Sequence, residues 1–116
     1  MILDDIKNKL EEIDQNVDYG AVKRSRKETL WNYIVFNRNV MKPNQNKTSY
    51  SEYYSVHIVR ENFIPEGLVL EVINKMLEIA GMRVASTDIQ YNYTTKPSTD
   101  KVVEMASIEF VKPVKA

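Results

Sequence analysis

The stretch from Pro65 to Gly81 leaves the chain the least freedom. Leu68, Val69, Val72, Ile73, Met76, Leu77 and Ala80 recur at helical spacing and form one broad apolar stripe. Pro65 suits a first helical turn, where its missing N–H costs nothing. Gly81 stands where a left-handed C-terminal cap belongs. The spacing predicts a helix over 65–80, weakened only by Gly67 near its start. Such a stripe must be buried, so the rest of the chain has to supply a matching apolar surface.

The same period occurs once more. Ile2, Ile6, Leu10 and Ile13 step by four, four and three, with Leu3 beside them, and charged residues fill the opposite face. Residues 2–14 are therefore predicted helical, and Asn16 and Gly20 mark an exit. Elsewhere the period is two. Residues 30–38 are aromatic and β-branched, and 50–60 alternate with Tyr54, Val56 and Ile58 on one face. The segment 42–49 between them is polar and Pro/Asn-rich, which predicts a long exposed hairpin tip. Residues 87–95 place Ile89, Tyr91 and Tyr93 on one face. A turn at 96–100 leads to a last strand, 101–111, closed by Pro113. The expected fold class is α+β. It is a four-stranded, mainly antiparallel sheet with both helices on one face, in the order α-β-β-α-β-β, as a single domain over 1–116.

Composition narrows the function. With 16 basic and 16 acidic residues, the chain has no whole-domain electrostatic grip on nucleic acid or an anionic membrane. It has no cysteine, which removes disulfides, thiolate catalysis and Cys-based zinc sites. No basic n-region precedes an apolar run at the N-terminus, and no stretch approaches the ~18 apolar residues of a membrane span. The expectation is a soluble protein made in the cytosol that stays there or in something assembled there.

A search for catalytic chemistry finds little. His57 is the only histidine, and it sits mid-strand out of phase with Val56 and Ile58, so it is expected to point away from the helices. No G-x-S-x-G, Walker loop or G-x-G-x-x-G occurs, and no His/Asp/Glu cluster has ligand spacing. Asp4-Asp5 and Glu11-Glu12 read as helix solvation. Glu104 and Glu109 fall on opposite faces of a strand and do not make an acid–base pair. The expectation is no enzyme, no cofactor and no metal.

Two features remain. The only basic run, Lys23, Arg24, Arg26 and Lys27, precedes an aromatic strand with Trp31, Tyr33 and Phe36, a pattern that can bind nucleic acid but here lacks any accompanying module signature. A solvated loop, or a charged contact with a partner subunit, are the other readings. The chain also has seven tyrosines, most in predicted strands. Tyrosine is enriched at protein interfaces, and it is equally an ordinary β-former shielding an open sheet face.

The element order, the polar tip at 42–49 and the helix Pro65–Ala80 ending in Gly81-Met82-Arg83 carry a resemblance. So does the last strand, in which Thr99-Asp100-Lys101-Val102 leads into Met105-Ala106-Ser107-Ile108-Glu109-Phe110. Over essentially its whole length the chain resembles the tail-completion and tail-terminator (head–tail joining) proteins of long-tailed bacteriophages, the group containing the lambda-type tail terminator. The same order is also a circular permutation of the ferredoxin-like fold, which hosts many functions.

The resemblance implies a structural phage or prophage protein. It would form a ring at the tail end or head–tail junction, present in the host cytoplasm during assembly and then in the virion. The implied partners are other copies of itself and tail-tube or head-junction proteins. Tyr50, Tyr53, Tyr91 and Tyr93, with Lys42, Asn44 and Lys47 of the hairpin tip, are the candidate subunit-interface residues. Lys23, Arg24, Arg26 and Lys27 are the candidate charged rim. The competing reading is a small nucleic-acid-binding or regulatory module.

Overall fold

The computed structural model describes residues 1–21, 31–45, 48–86 and 88–115. Among these residues lie two helices and one six-stranded sheet. In chain order the elements are α1 (Ile2–Glu11), β1 (Val17–Tyr19), β2 (Tyr33–Pro43), β3 (Ser49–Glu61), α2 (Leu68–Leu77), β4 (Arg83–Val84), β5 (Gln90–Thr95) and β6 (Val102–Lys115). The sheet order is β1-β2-β3-β6-β4, and β5 also pairs with β6. This corrects the expected four-stranded α-β-β-α-β-β arrangement. β1 and β4 were not anticipated because two or three residues are too few to show a period. β1 runs parallel to β2, through Val17↔Ile34 and Tyr19↔Phe36. The other pairings are antiparallel.

Both helices are shorter than their stripes. Gly67 takes φ +87°, which a helix cannot contain, so the turn closed by the Leu68 amide on the Pro65 carbonyl precedes the first helical residue. At the other end, the Ile79 amide donates to the Met76 carbonyl in a tightened turn, and Gly81 at φ +82° reverses the chain toward β4. Their buried faces meet one side of the sheet. Ile6 and Leu10 of α1 and Val72 and Met76 of α2 share a cluster with Ile34, Phe36, Tyr54, Val56, Ile58, Ala106, Ile108 and Phe110. Register explains the set: Phe36, Val56 and Ile108 are cross-strand partners, as are Ile34, Ile58 and Ala106.

Polar ties lock the helices in place. Arg60 and Asp14 form a largely buried ion pair of 2.5 Å that joins the end of α1 to β3. Across the helix pair, Lys9 reaches Glu78 at 2.7 Å and Lys75 reaches Glu12 at 3.0 Å. These last pairs are solvent-facing and set orientation more than stability.

The opposite side of the sheet has no helix among the described residues. Val59, Val103 and Val111 are buried there, with His57, Met105 and Ser107 half-buried between them. As expected, His57 lies on this side, opposite Val35 and Ser107.

Met76 is fully buried between α2 and the sheet. Met76→Ala should lower the unfolding free energy by about 2–5 kcal/mol in a denaturant titration. A loss below about 0.5 kcal/mol would place this face of α2 in solvent.

Candidate assembly interface

The molecule is long for its size. Its extents are 52 × 26 × 24 Å and its radius of gyration is 15.2 Å, against about 13 Å for a compact domain of this length. The excess comes from the far ends of β2, β3 and β6. Strand pairing continues past the helices through Met41↔Glu52↔Lys112 to Pro43↔Tyr50↔Val114. Lys42, Pro43 and Ser49, expected in a long loop, are therefore strand residues, and the described turn between the strands is shorter than expected. Asn44 closes the hairpin: its amide donates to the Ser49 carbonyl, its Nδ2 donates to Ser49 Oγ at 2.8 Å, and its Oδ1 accepts from Ser51 Oγ at 3.0 Å.

The result is a three-stranded arm. A register shift between Arg38 and Val40 bends β2 into it, and Asn39 at the shift donates to Glu109 Oε2 at 2.6 Å. Met41 is 52% exposed, and Val40 and Val114 are also exposed. Tyr50 is half-buried in the row between Pro43 and Val114. Tyr53, on the opposite side, carries the Lys42 ammonium 4.8 Å above its ring.

Both outer edges of the arm are blunted. In an antiparallel ladder each residue directs its N–H and C=O to the same neighbour, alternately. The Glu109 carbonyl accepts from Ala85 and Ser86, so Glu109 faces outward from β6, and so do Val111 and Pro113 at two-residue steps. The Phe36 carbonyl accepts from Gly20, so Phe36 faces outward from β2. Its partner Val56 therefore bonds to β6, as do Glu52 and Tyr50, leaving Met41 and Pro43 outward. Each edge thus presents a proline where an outward N–H would stand, which hinders addition of another strand. The faces of the arm, rather than its edges, are left to make contacts.

A second apolar surface lies at the other end of β6. Ile64, Pro65, Val69, Leu70, Ile89 and Tyr91 line a groove of about 320 Å³ between the start of α2 and β5, with Glu66 on its wall. Leu70 is 64% exposed, and Phe63 close by in sequence is 67% exposed. Tyr91 and Tyr93 pair with Ala106 and Glu104, which puts them on the helix side of the sheet. Hydrogen bonding to Glu104 holds the Tyr93 phenol above its ordinary pKa. Glu104 Oε1 also accepts from the Ile64 amide at 2.7 Å, fixing one wall of the groove. A smaller trough of about 230 Å³ on the opposite side is lined by Trp31, Tyr33, Val59, Asn92, Val103 and Met105, among others.

The structure does not gather the sequence-predicted residues into one site. Tyr50, Tyr53, Lys42 and Asn44 lie on the arm; Tyr91 and Tyr93 lie at the other end, by the groove. Lys23, Arg24, Arg26, Lys27 and Lys47 fall outside the described residues. The groove itself was missed, because its walls come from 64–70 and 89–91. The available signal was Leu70, an apolar residue on the solvent side of an amphipathic helix. Among the described residues no group of three or more His, Asp or Glu side chains could hold a metal ion, and no helix is long and apolar enough to cross a membrane.

His57 shares a 2.8 Å hydrogen bond with Ser107, and burial lowers its pKa. A depressed histidine pKa means the unfolded chain takes up the proton first, so stability falls as pH drops through about 6.5 and below. Stability measured at pH 7 and pH 5 should fall more in the native chain than in His57→Gln. Equal losses would show that His57 is not the group responsible.

The chain matches no model of a known protein family, and no curated protein matches it in sequence.

Proposed function

We propose that this chain is a structural assembly subunit that forms a ring at the tail end or head–tail junction of a long-tailed bacteriophage or prophage. The observation that carries the reading is the arm: three strands running beyond the helices, with exposed apolar side chains on their faces and prolines on both edges. A folded chain gains nothing for its own core from Met41 or Val114 held in water. Exposed apolar side chains brought together on a projecting element are characteristic of surfaces that bind another protein. The phage assignment rests on the sequence resemblance, and the arm is a means by which such a subunit would grip its neighbours.

The mechanism is geometric. A contact between two different patches on successive copies repeats by rotation and closes into a ring, whereas a self-complementary two-fold contact stops at a dimer. No bond is made or broken, and no side chain needs a shifted protonation state. The purified chain is expected to be a monomer or weak oligomer, with its tail-tube or head-junction partner templating closure.

Particles produced without this protein should have tails of abnormal length or tails not joined to heads, as seen by electron microscopy. The chain mixed with its partner should appear as a ring with rotational symmetry. Normal infectious particles in its absence would overturn the phage assignment, and salt-sensitive binding of DNA or RNA to the purified chain would favour a nucleic-acid module.

A further inference from the structure

One edge of the sheet is left open. Among the described residues β5 pairs with β6 alone. At the hairpin turn the Lys96 amide donates to the Lys101 carbonyl at 3.0 Å, so Lys96 faces β6. At two-residue steps so do Thr94, Asn92 and Gln90. The Asn62 amide agrees: it donates to the Val102 carbonyl, which turns Val102 toward β3 and leaves Val103 and Met105 for β5. Tyr91, Tyr93 and Thr95 therefore direct their N–H and C=O groups outward, where no other described residue bonds to them. The remaining borders of the sheet differ. Pro43 and Pro113 blunt the arm, β1 has only 3 residues and β4 only 2. β5 has 6 residues, Gln-Tyr-Asn-Tyr-Thr-Thr, all exposed. It contains no proline, no charge and no register shift, the usual devices that close an edge.

We propose that the β5 edge receives an extended segment of another protein, which adds to the sheet as a further strand. The chemistry of the edge defines the occupant. Donors and acceptors repeating at Tyr91, Tyr93 and Thr95 match a main chain in extended conformation, whereas a helix has already bonded its own N–H and C=O groups. A residue of the added strand opposite Tyr91 or Tyr93 lies on the helix side of the sheet. There Tyr91 borders the groove with Val69, Leu70 and Ile89. β-Branched or aromatic side chains suit these positions. The residue opposite Asn92 lies on the other side of the sheet, beside an exposed amide, and is suited by a polar side chain. The partner is thus a strand-forming segment that alternates apolar and polar residues. Its main chain supplies the hold and its apolar side chains the selection. Among the described strands a second copy has only its own β5 to offer, which would spend the edge in a two-fold pair. The proposal rests on this edge alone and is independent of ring formation.

Amide hydrogen exchange followed by NMR reads this edge residue by residue. In the free chain Asn92 and Thr94 should be protected, while Tyr91, Tyr93 and Thr95 exchange rapidly. The probes are capped peptides of about ten residues that alternate threonine with valine, isoleucine or tyrosine and end in lysine for solubility. At peptide concentrations up to about 1 mM, at least one should slow exchange at Tyr91, Tyr93 and Thr95 by about tenfold or more, with Asn92 and Thr94 little changed. The same peptide N-methylated throughout has no donors and should have no effect. Tyr93→Pro removes an outward N–H and leaves the β6 ladder intact, so it should keep its melting temperature and lose the peptide's effect at Tyr91 and Thr95. If that variant unfolds, the N-methylated peptide makes the same test on the unaltered chain. No slowing with any of the peptides would overturn the proposal, and so would slowing confined to other residues or equal slowing by the N-methylated peptide. Protection of Tyr91, Tyr93 and Thr95 in the chain alone, lost on dilution, would assign the edge to a second copy and overturn it as well.

Discussion

The ladder between β3 and β6 is the constraint on which the rest of the structure depends. Every residue of the 13-residue β3, from Ser49 to Glu61, has a partner in β6. A strand of this length spans about 43 Å. Each helix has 10 residues and covers only about 15 Å of it. Two helices side by side on one face therefore roof the central rows, from Ile34–Ile58–Ala106 through Phe36–Val56–Ile108 to Tyr54–Phe110, and cannot reach either end. The arm and the open end of the sheet beside β5 are consequences of this mismatch. The fold has one well-sealed core in the middle and unfinished apolar surface at both extremes.

The sequence exposed the repeating parts of this arrangement and concealed the parts that are pairwise. The stripes of α1 and α2 and the alternation of Tyr54, Val56 and Ile58 follow directly from burial on one face, so they could be read. Helix ends were set by local geometry instead: Gly67 at positive φ starts α2 at Leu68, although Pro65 suits a first helical turn. The polar stretch 42–49 was assigned to a loop because Lys, Asn and Pro disfavour strands. Pairing with β3 overrode that preference at Lys42 and Pro43, since Pro43 lies at an edge where no N–H is required. β1 and β4 take their strand character from the neighbours they pair with.

Legibility of the candidate interface residues followed the same division. Tyrosine as a residue type marked both ends of the molecule but gave no means of assigning Tyr50 to one and Tyr91 to the other. That assignment needed the register Tyr50↔Val114 against Tyr91↔Ala106.

Proline placement bears on how the exposed strands of the arm avoid indiscriminate pairing. A projecting three-stranded arm with open edges would invite indefinite edge-to-edge pairing, which is indifferent to side chains and has no built-in stopping point. Pro43 and Pro113 each remove an outward donor from one of the two edges, at positions where the inner ladder is unaffected. Contacts through the faces depend on side-chain shape and charge, so they can be specific to one partner surface and one rotation. The negative element, a missing N–H on each edge, and the positive element, an apolar row on the faces, point the same way. Together they favour contacts that depend on side-chain shape over indiscriminate edge pairing.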